Sequence, residues 1–305
     1  MTILTYNSSN SIMKYTIGFI LLLYTFSNNL SAQQIFQGGD LAVDNAYHTS
    51  GGMYVWRGEL FKGDTIDKAL ITVFYDCKFM TDTTTKQYVE YIADLEIGIN
   101  YSKFYGHKLY VIDSLCSNQE FIDSKKARQT IHKYYRNEYS WTFNDALYTR
   151  YADKSNMMSS RFIEIDYIYE SNAPKFDWTI VDSTKIILGY NVQKAVCTHN
   201  GRDYEAWFST EIPISSGPWK FYGLPGLIFS IKDTKEEYVY NIRGVSRQKR
   251  QIIFPQYDYI RISEEQYNEL RVQAIEVPSF IETHSPSSML YVQHLKPIRM
   301  MYRLQ

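Results

Sequence analysis

Six histidines are the first candidates for metal or acid–base chemistry: His48, His107, His132, His199, His284 and His294. No two of them stand four apart and there is no H-E-x-x-H, so no single helix face offers a pair of imidazoles. A metal site would have to gather distant ligands, and each histidine reads as a surface or packing residue. Nucleophilic catalysis lacks its usual local mark, a G-x-S-x-G elbow. Asp94 and Glu96 have the spacing of a hydrolytic carboxylate pair, but they lie on an alternating strand-like run and read as its solvated face. Arg202 has the chemistry to bind an anion. It also has Glu205 and Glu211 within a few residues, and pairing with one of them is the favoured expectation. No G-x-x-x-x-G-K-[ST] loop is present, which argues against a nucleotide site. The basic runs KKAR at 125–128 and SRQKRQ at 246–251 are short and isolated, whereas phosphate backbones are read by several cations on one face. They read as solvated loops or helix faces, and no nucleic-acid partner is expected.

The most informative stretch is SSGPWKFYGLPGLIFSIKD, residues 215–233. Gly217-Pro218 and Leu224-Pro225-Gly226 are turn signals, because proline presets φ and glycine permits positive φ; Pro225-Gly226 suits a type II turn. Leu227-Ile228-Phe229 then starts a strand. The segment is expected to be a tight corner feeding a sheet, with Trp219 and Phe221 packed over it and Gly223 allowing close backbone approach. A corner needed only for folding is the simplest reading. The functional alternative is that the corner lines a groove, which makes Arg202, Trp207, Trp219, Gly223, Pro225 and Gly226 the candidate binding residues.

The elements around this corner are mostly strands. Residues 68–80, 88–100 and 108–113 are rich in β-branched and aromatic types and read as a meander. Residues 117–138 are charged, free of Gly and Pro, and suit a helix opened by a Ser117-to-Glu120 capping box. Strands return at 160–169, 177–181, 184–189, 192–199 and 202–209. Gly189-Tyr190 and Asn200-Gly201 supply turns, and Asn-Gly predicts an antiparallel hairpin of the last two runs. Residues 226–231 and 238–244 form another pair. Ser263 caps a helix of about a dozen residues, with acid in its first turn complementing the dipole, and Pro278 stops it. Many antiparallel strands with helices set apart predict a mainly β chain, all-β to α+β, built on a large curved antiparallel sheet or half-barrel with one or two helices.

The chain has 305 residues, 45% of them hydrophobic, with a formal net charge of −1. That composition supports a core and excludes a disordered chain, and it offers no global field for anionic partners. The 28 Tyr, 16 Phe and 5 Trp suit pleated, half-wet sheet faces. Ile17 to Phe26 is an apolar run too short for a membrane span, which needs about 20 residues. Lys14 precedes it and Leu30-Ser31-Ala32 follows, the parts of a secretory signal peptide. Residues 1–32 are therefore expected to be a signal peptide and 33–305 one β-rich domain, not integral to the membrane after cleavage. Export allows disulfides, and the three cysteines Cys77, Cys116 and Cys197 allow one disulfide plus a thiol or three thiols. Cys77, in a strand-like run, reads as a small buried apolar residue.

Residues 185–233 also carry Gly223-Leu224-Pro225-Gly226-Leu227-Ile228 in full, with Gly189-Tyr190, Lys194-Ala195, Gly201-Arg202, Ala206-Trp207-Phe208, Glu211-Ile212-Pro213 and Gly217-Pro218-Trp219-Lys220-Phe221 around it. On these residues the chain resembles the GLPGLI family of Bacteroidetes. Leu95-Glu96-Ile97-Gly98, Ser102-Lys103-Phe104-Tyr105 and Asp113-Ser114 extend the likeness over most of 55–280. Val192 stands where family members often carry a cysteine. The resemblance implies an exported protein of the cell envelope, in the periplasm or at the cell surface, and brings no catalytic residue and no cofactor. The expected role is non-catalytic: binding an apolar ligand, or another envelope protein as partner. An uncharacterised hydrolase or peptidase and an accessory of outer-membrane transport are the alternatives.

Overall fold

The computed structural model describes residues 63–116, 145–162 and 165–276. The expected signal peptide, the 117–138 helix with its capping box, the KKAR run and Pro278 lie outside the described residues.

The chain is mainly β. Two antiparallel meanders form one large sheet. The first runs β2 (Ile71–Asp82), β3 (Gln87–Ile97), β4 (Tyr101–Gly106), β5 (Ala146–Arg150), β6 (Ser155–Phe162) and β7 (Ile165–Asn172). The second runs β8 (Thr179–Ile187), β9 (Tyr190–His199), β10 (Arg202–Ser209), β11 (Leu227–Asp233) and β12 (Tyr238–Ser246). They fuse where β12 pairs with β2, from Tyr238 opposite Phe79 to Ser246 opposite Thr72. A two-residue strand, β14 (Ile260–Arg261), adds to β7 in parallel, completing a 12-stranded sheet that is not closed into a barrel. A separate ribbon pairs β1 (Gly63–Ala69) with β13 (Arg250–Pro255).

Turn chemistry sets the registers. Asn200 and Gly201 have φ of 49° and 73°, so the expected hairpin forms and Arg202 sits opposite His199. The β8–β9 turn uses Leu188 and Gly189, with φ of 51° and 84°. It falls one residue earlier than Gly189-Tyr190, and Tyr190 begins β9.

Two expectations are corrected. Residues 108–113 are not a strand but part of helix α1 (His107–Cys116). Their β-branched content is overridden by contacts on one helical face: the His107 Nδ1 lies 2.7 Å from Asp94, and Tyr110, one turn on, stacks on His107 and beneath the Arg250 guanidinium. Second, Asp94 and Glu96 are not solvated; they are 0% and 3% exposed. Both faces of β3 are covered. Ala93, Leu95 and Ile97 enter the main core, while the polar face lies under the β1–β13 ribbon and α1, whose strands carry no strong alternation in sequence. Arg250 bonds Asp94 at 2.8 Å, Tyr105 donates to Glu96 at 2.8 Å, and Lys103 donates to the Ile253 carbonyl at 3.1 Å. The SRQKRQ run therefore contributes one half-buried ion-pair partner rather than a wholly solvated face.

The second helix, α2 (Glu264–Glu276), starts as expected. Ser263 Oγ accepts from the Gln266 amide, and Gln266 accepts from the Ser263 amide, at 3.1 and 2.9 Å. Tyr267, Leu270 and Arg271 form its buried face, spaced as one stripe of a helix. Tyr267 packs against Tyr169 and Tyr167, and its hydroxyl meets Ser160, which also bonds Asp145.

Candidate functional site

Between β10 and β11 the chain makes the corner expected from its Pro and Gly residues, and the corner forms one wall of a cleft. Its construction differs from the type II turn suggested by Pro225-Gly226. Gly226 does not adopt positive φ. Instead, a Cβ there would stand 2.0 Å from the Ser209 carbonyl oxygen and 3.0 Å from the Thr210 Cα. It is glycine because two backbones cross. Gly223 supplies the left-handed conformation, at φ 100°, with only the Trp178 ring 3.5 Å away. The two glycines exchange the roles expected of them, since the sequence shows small residues but not which backbone lies against which.

The corner is sewn to the sheet by hydrogen bonds. Leu227 N donates to Ile212 O at 3.0 Å and Ile228 N to Ser216 O at 2.9 Å. From the other meander, the buried Tyr75 hydroxyl donates to Ile228 O at 2.6 Å. Gly223 N donates to Ser215 Oγ at 3.1 Å, and Trp178 Nε1 to Tyr222 O at 2.9 Å. Phe221 packs against Tyr204, Phe176 and Tyr240 with ring centres 5.0 to 6.2 Å apart. Trp219 lies edge-on to Phe104. It also has φ of 54°, a conformation that costs a bulky residue roughly 1–2 kcal/mol. Packing, with Trp219 only 6% exposed, holds it there.

The opposite wall comes from the first meander: Ser102 on β4, Thr149 and Arg150 at the end of β5, Tyr151 and Lys154 in the β5–β6 turn, and Ala173 beyond β7. The space between the walls is about 540 Å³, within the range of small-molecule sites. Tyr151, Trp219, Phe221 and Tyr222 provide ring surface; Ser102, Ser215 and Ser216 provide hydroxyls. Burial raises the Tyr151 phenol, and the hydroxyls of Ser102 and Ser216 oppose that shift. Arg150 is held in a fork by Asp153, with contacts of 2.6 to 3.1 Å. Lys220 bonds Glu264 at the start of α2, at 3.0 Å.

Of the candidate binding residues, Trp219 and Gly223 line this cleft. Gly226 is buried behind it and Pro225 is exposed beside it. Trp207 lies elsewhere: its indole donates to Glu205 at 3.0 Å while the Lys185 ammonium stands 3.9 Å over its ring. Arg202 pairs with neither Glu205 nor Glu211. It contacts Asp233 and Glu237, each at 2.7 Å, because the β11–β12 turn brings both carboxylates against the start of β10. Glu205 pairs with Lys194 and Glu211 accepts from the Asn191 amide. His199 packs on Phe176 with ring centres 4.6 Å apart, and burial lowers its pKa. Among the described residues, no serine or cysteine is hydrogen-bonded to His199 or Arg202, and no group of three or more His, Cys, Asp or Glu side chains is arranged around one point. Cys77 and Cys197 are free, buried thiols; the side chain of Cys116 lies outside the described residues.

Sequence reasoning missed Tyr151, Lys154 and Lys220 as cleft residues. Tyr151 and Lys154 stand in a stretch with no clear element signal, and only the sheet order brings β5 to the corner.

A family model described as "Protein of unknown function (Porph_ging)" matches residues 198–230, well under half of the chain but including β10, the cleft wall and the whole hexapeptide. No curated protein matches. Solved structures of PNGF-II, in space groups P21 and C2, are similar at TM-score 0.43, with 15% and 14% identity over 67% of this chain. The alignment spans about a third of those longer chains, 32% in each case.

Proposed function

We propose that this chain is an exported, GLPGLI-type protein of the bacterial cell envelope that binds a small apolar-bodied ligand without transforming it. The observation that carries this reading is the cleft of about 540 Å³, walled on one side by the corner and faced with four aromatic rings. Clefts of that volume with apolar lining and a few polar groups are the common form of ligand sites. The reading as a hydrolase or peptidase has less support: the cleft's lining includes serines but no histidine, and among the described residues the histidine–carboxylate pair, His107 with Asp94, belongs to the ribbon-covered layer. Export to the periplasm or cell surface is supported by the signal-like N-terminal sequence and by the GLPGLI resemblance.

The test uses the mature chain and a neutral fluorescent apolar probe, phenylnaphthylamine. Saturable binding is expected, with energy transfer from tryptophan that falls in Trp219→Phe. Non-saturable partitioning, or transfer unchanged by that substitution, would remove the cleft as the site. Recovery of an intact leader on the protein in its native host would remove the export part.

A further inference from the structure

Charge is distributed unevenly around the cleft. Three of its lining residues are cationic, Arg150, Lys154 and Lys220, and none is a carboxylate. Two of the cations are committed: Arg150 to Asp153 and Lys220 to Glu264. Lys154 is different. It is exposed at the rim and has no ion-pair or hydrogen-bond partner for its side chain among the described residues. The same lining also offers hydroxyls from Ser102, Ser215 and Ser216, which donate to an anion as readily as to water. It also includes the rings of Tyr151, Trp219 and Phe221. The lining thus combines an uncommitted cation and hydroxyl donors with aromatic surface.

Resting on the reading of this cleft as a ligand site, we propose that its ligand is an amphiphilic anion: a carboxylate or phosphate head held at Lys154 and the serine hydroxyls, with an apolar body laid against Trp219 and Phe221. A cationic ligand would meet the uncommitted Lys154 ammonium with no carboxylate in the lining to answer it, whereas an anion is matched by that ammonium. An acidic head on an apolar tail uses both kinds of lining. Hydrogen bonds to charged groups are among the stronger ones, so the head should contribute visibly to affinity.

The experiment displaces phenylnaphthylamine from the full mature chain with three probes that share one tail: dodecanoate, dodecyl phosphate and dodecanol. Dodecanoate or the phosphate should bind about tenfold or more tighter than dodecanol, the scale of one charge-assisted hydrogen bond. The preference should shrink with added salt. In Lys154→Gln the three affinities should converge, with the melting temperature unchanged. Preference for one anion over the other tells carboxylate from phosphate, and either result supports the proposal. Equal binding of all three probes to the wild type would overturn the anion inference and leave the apolar cleft standing. Failure of all three to displace the probe would overturn both. A preference retained in Lys154→Gln would place the anion elsewhere and refute the assignment.

Discussion

Gly226→Ala and Gly223→Ala are the same chemical change three residues apart, and the structure gives them different costs. At Gly223 the backbone is left-handed but the added methyl has room, 3.5 Å from the Trp178 ring. The cost is that of the conformation alone, roughly 1–2 kcal/mol. At Gly226 the backbone suits any residue, but the methyl would lie 2.0 Å from the Ser209 carbonyl oxygen. That neighbour is the last residue of β10, paired with both Leu227 and, through its hydroxyl, the Asn191 carbonyl. It yields only if the β10–β11 ladder opens. Overpacking in a core costs about 1–3 kcal/mol, occasionally more, and a backbone clash of this depth belongs at or above the upper end. With about 2–4 °C lost per kcal/mol in a domain of this size, Gly226→Ala should melt at least about 6 °C lower than wild type, and Gly223→Ala by roughly half that. Urea denaturation monitored by tryptophan fluorescence gives the same comparison as free energies. Equal stability of Gly226→Ala and wild type would refute the claim that backbone crossing, rather than turn conformation, places glycine there.

Other outcomes follow from the buried polar groups. Tyr75→Phe removes the donor to the Ile228 carbonyl and leaves that acceptor buried, so about 1–3 kcal/mol should be lost, measured by chemical denaturation. Arg202→Ala strands Asp233, which is fully buried; breaking such a pair costs about 3–5 kcal/mol, with the low end expected because Arg202 keeps some solvent contact, and a smaller loss on adding Asp233→Asn would confirm the coupling. Glu96 has its pKa raised, burial outweighing the favourable Lys103, Tyr105 and Arg250. Its contribution is therefore complete below the ordinary carboxylate pKa and lost as pH rises through the folded value. Glu96→Gln, which still accepts from Tyr105, should gain on wild type as pH increases, and a variant melting temperature that falls relative to wild type with rising pH would contradict this. Burial pushes the Cys197 thiol up to about 12 and the Cys77 thiol well above its usual range, so iodoacetamide at neutral pH should label neither until the chain is unfolded.

Local signals in the sequence were reliable where the physics is local. The Asn200-Gly201 hairpin and the Ser263 cap depend on φ preferences and hydrogen bonds within a few residues, and both appear as expected. The failures share a cause. Asp94 and Glu96 alternate like a wet face, yet a ribbon whose two strands lie almost 190 residues apart covers them. Residues 108–113 favour a strand by type, yet His107 and Tyr110 find partners on β3 and β13 only when the segment is helical. Arg202 ignores its sequence neighbours because the β11–β12 turn delivers Asp233 and Glu237. In each case a distant element decides, and no window of adjacent residues contains it.

The same logic explains why the hexapeptide is at once a folding device and a cleft wall. Gly226 can sit against Ser209 only if the chain from Glu211 to Tyr222 is looped out of the sheet, since β10 and β11 resume pairing immediately, Ser209 opposite Leu227. That excursion must be covered. Leu224 turns inward to the core, while Ser215, Ser216, Trp219 and Phe221 line the cleft across from the β5–β6 turn. The cleft follows from the excursion, and its position follows from Tyr75, which ties the excursion's return strand to the first meander at Ile228. A change that relaxed the corner without unfolding the sheet, such as Tyr75→Phe, should therefore weaken probe binding more than its modest cost in stability implies, because it loosens the wall that carries Trp219.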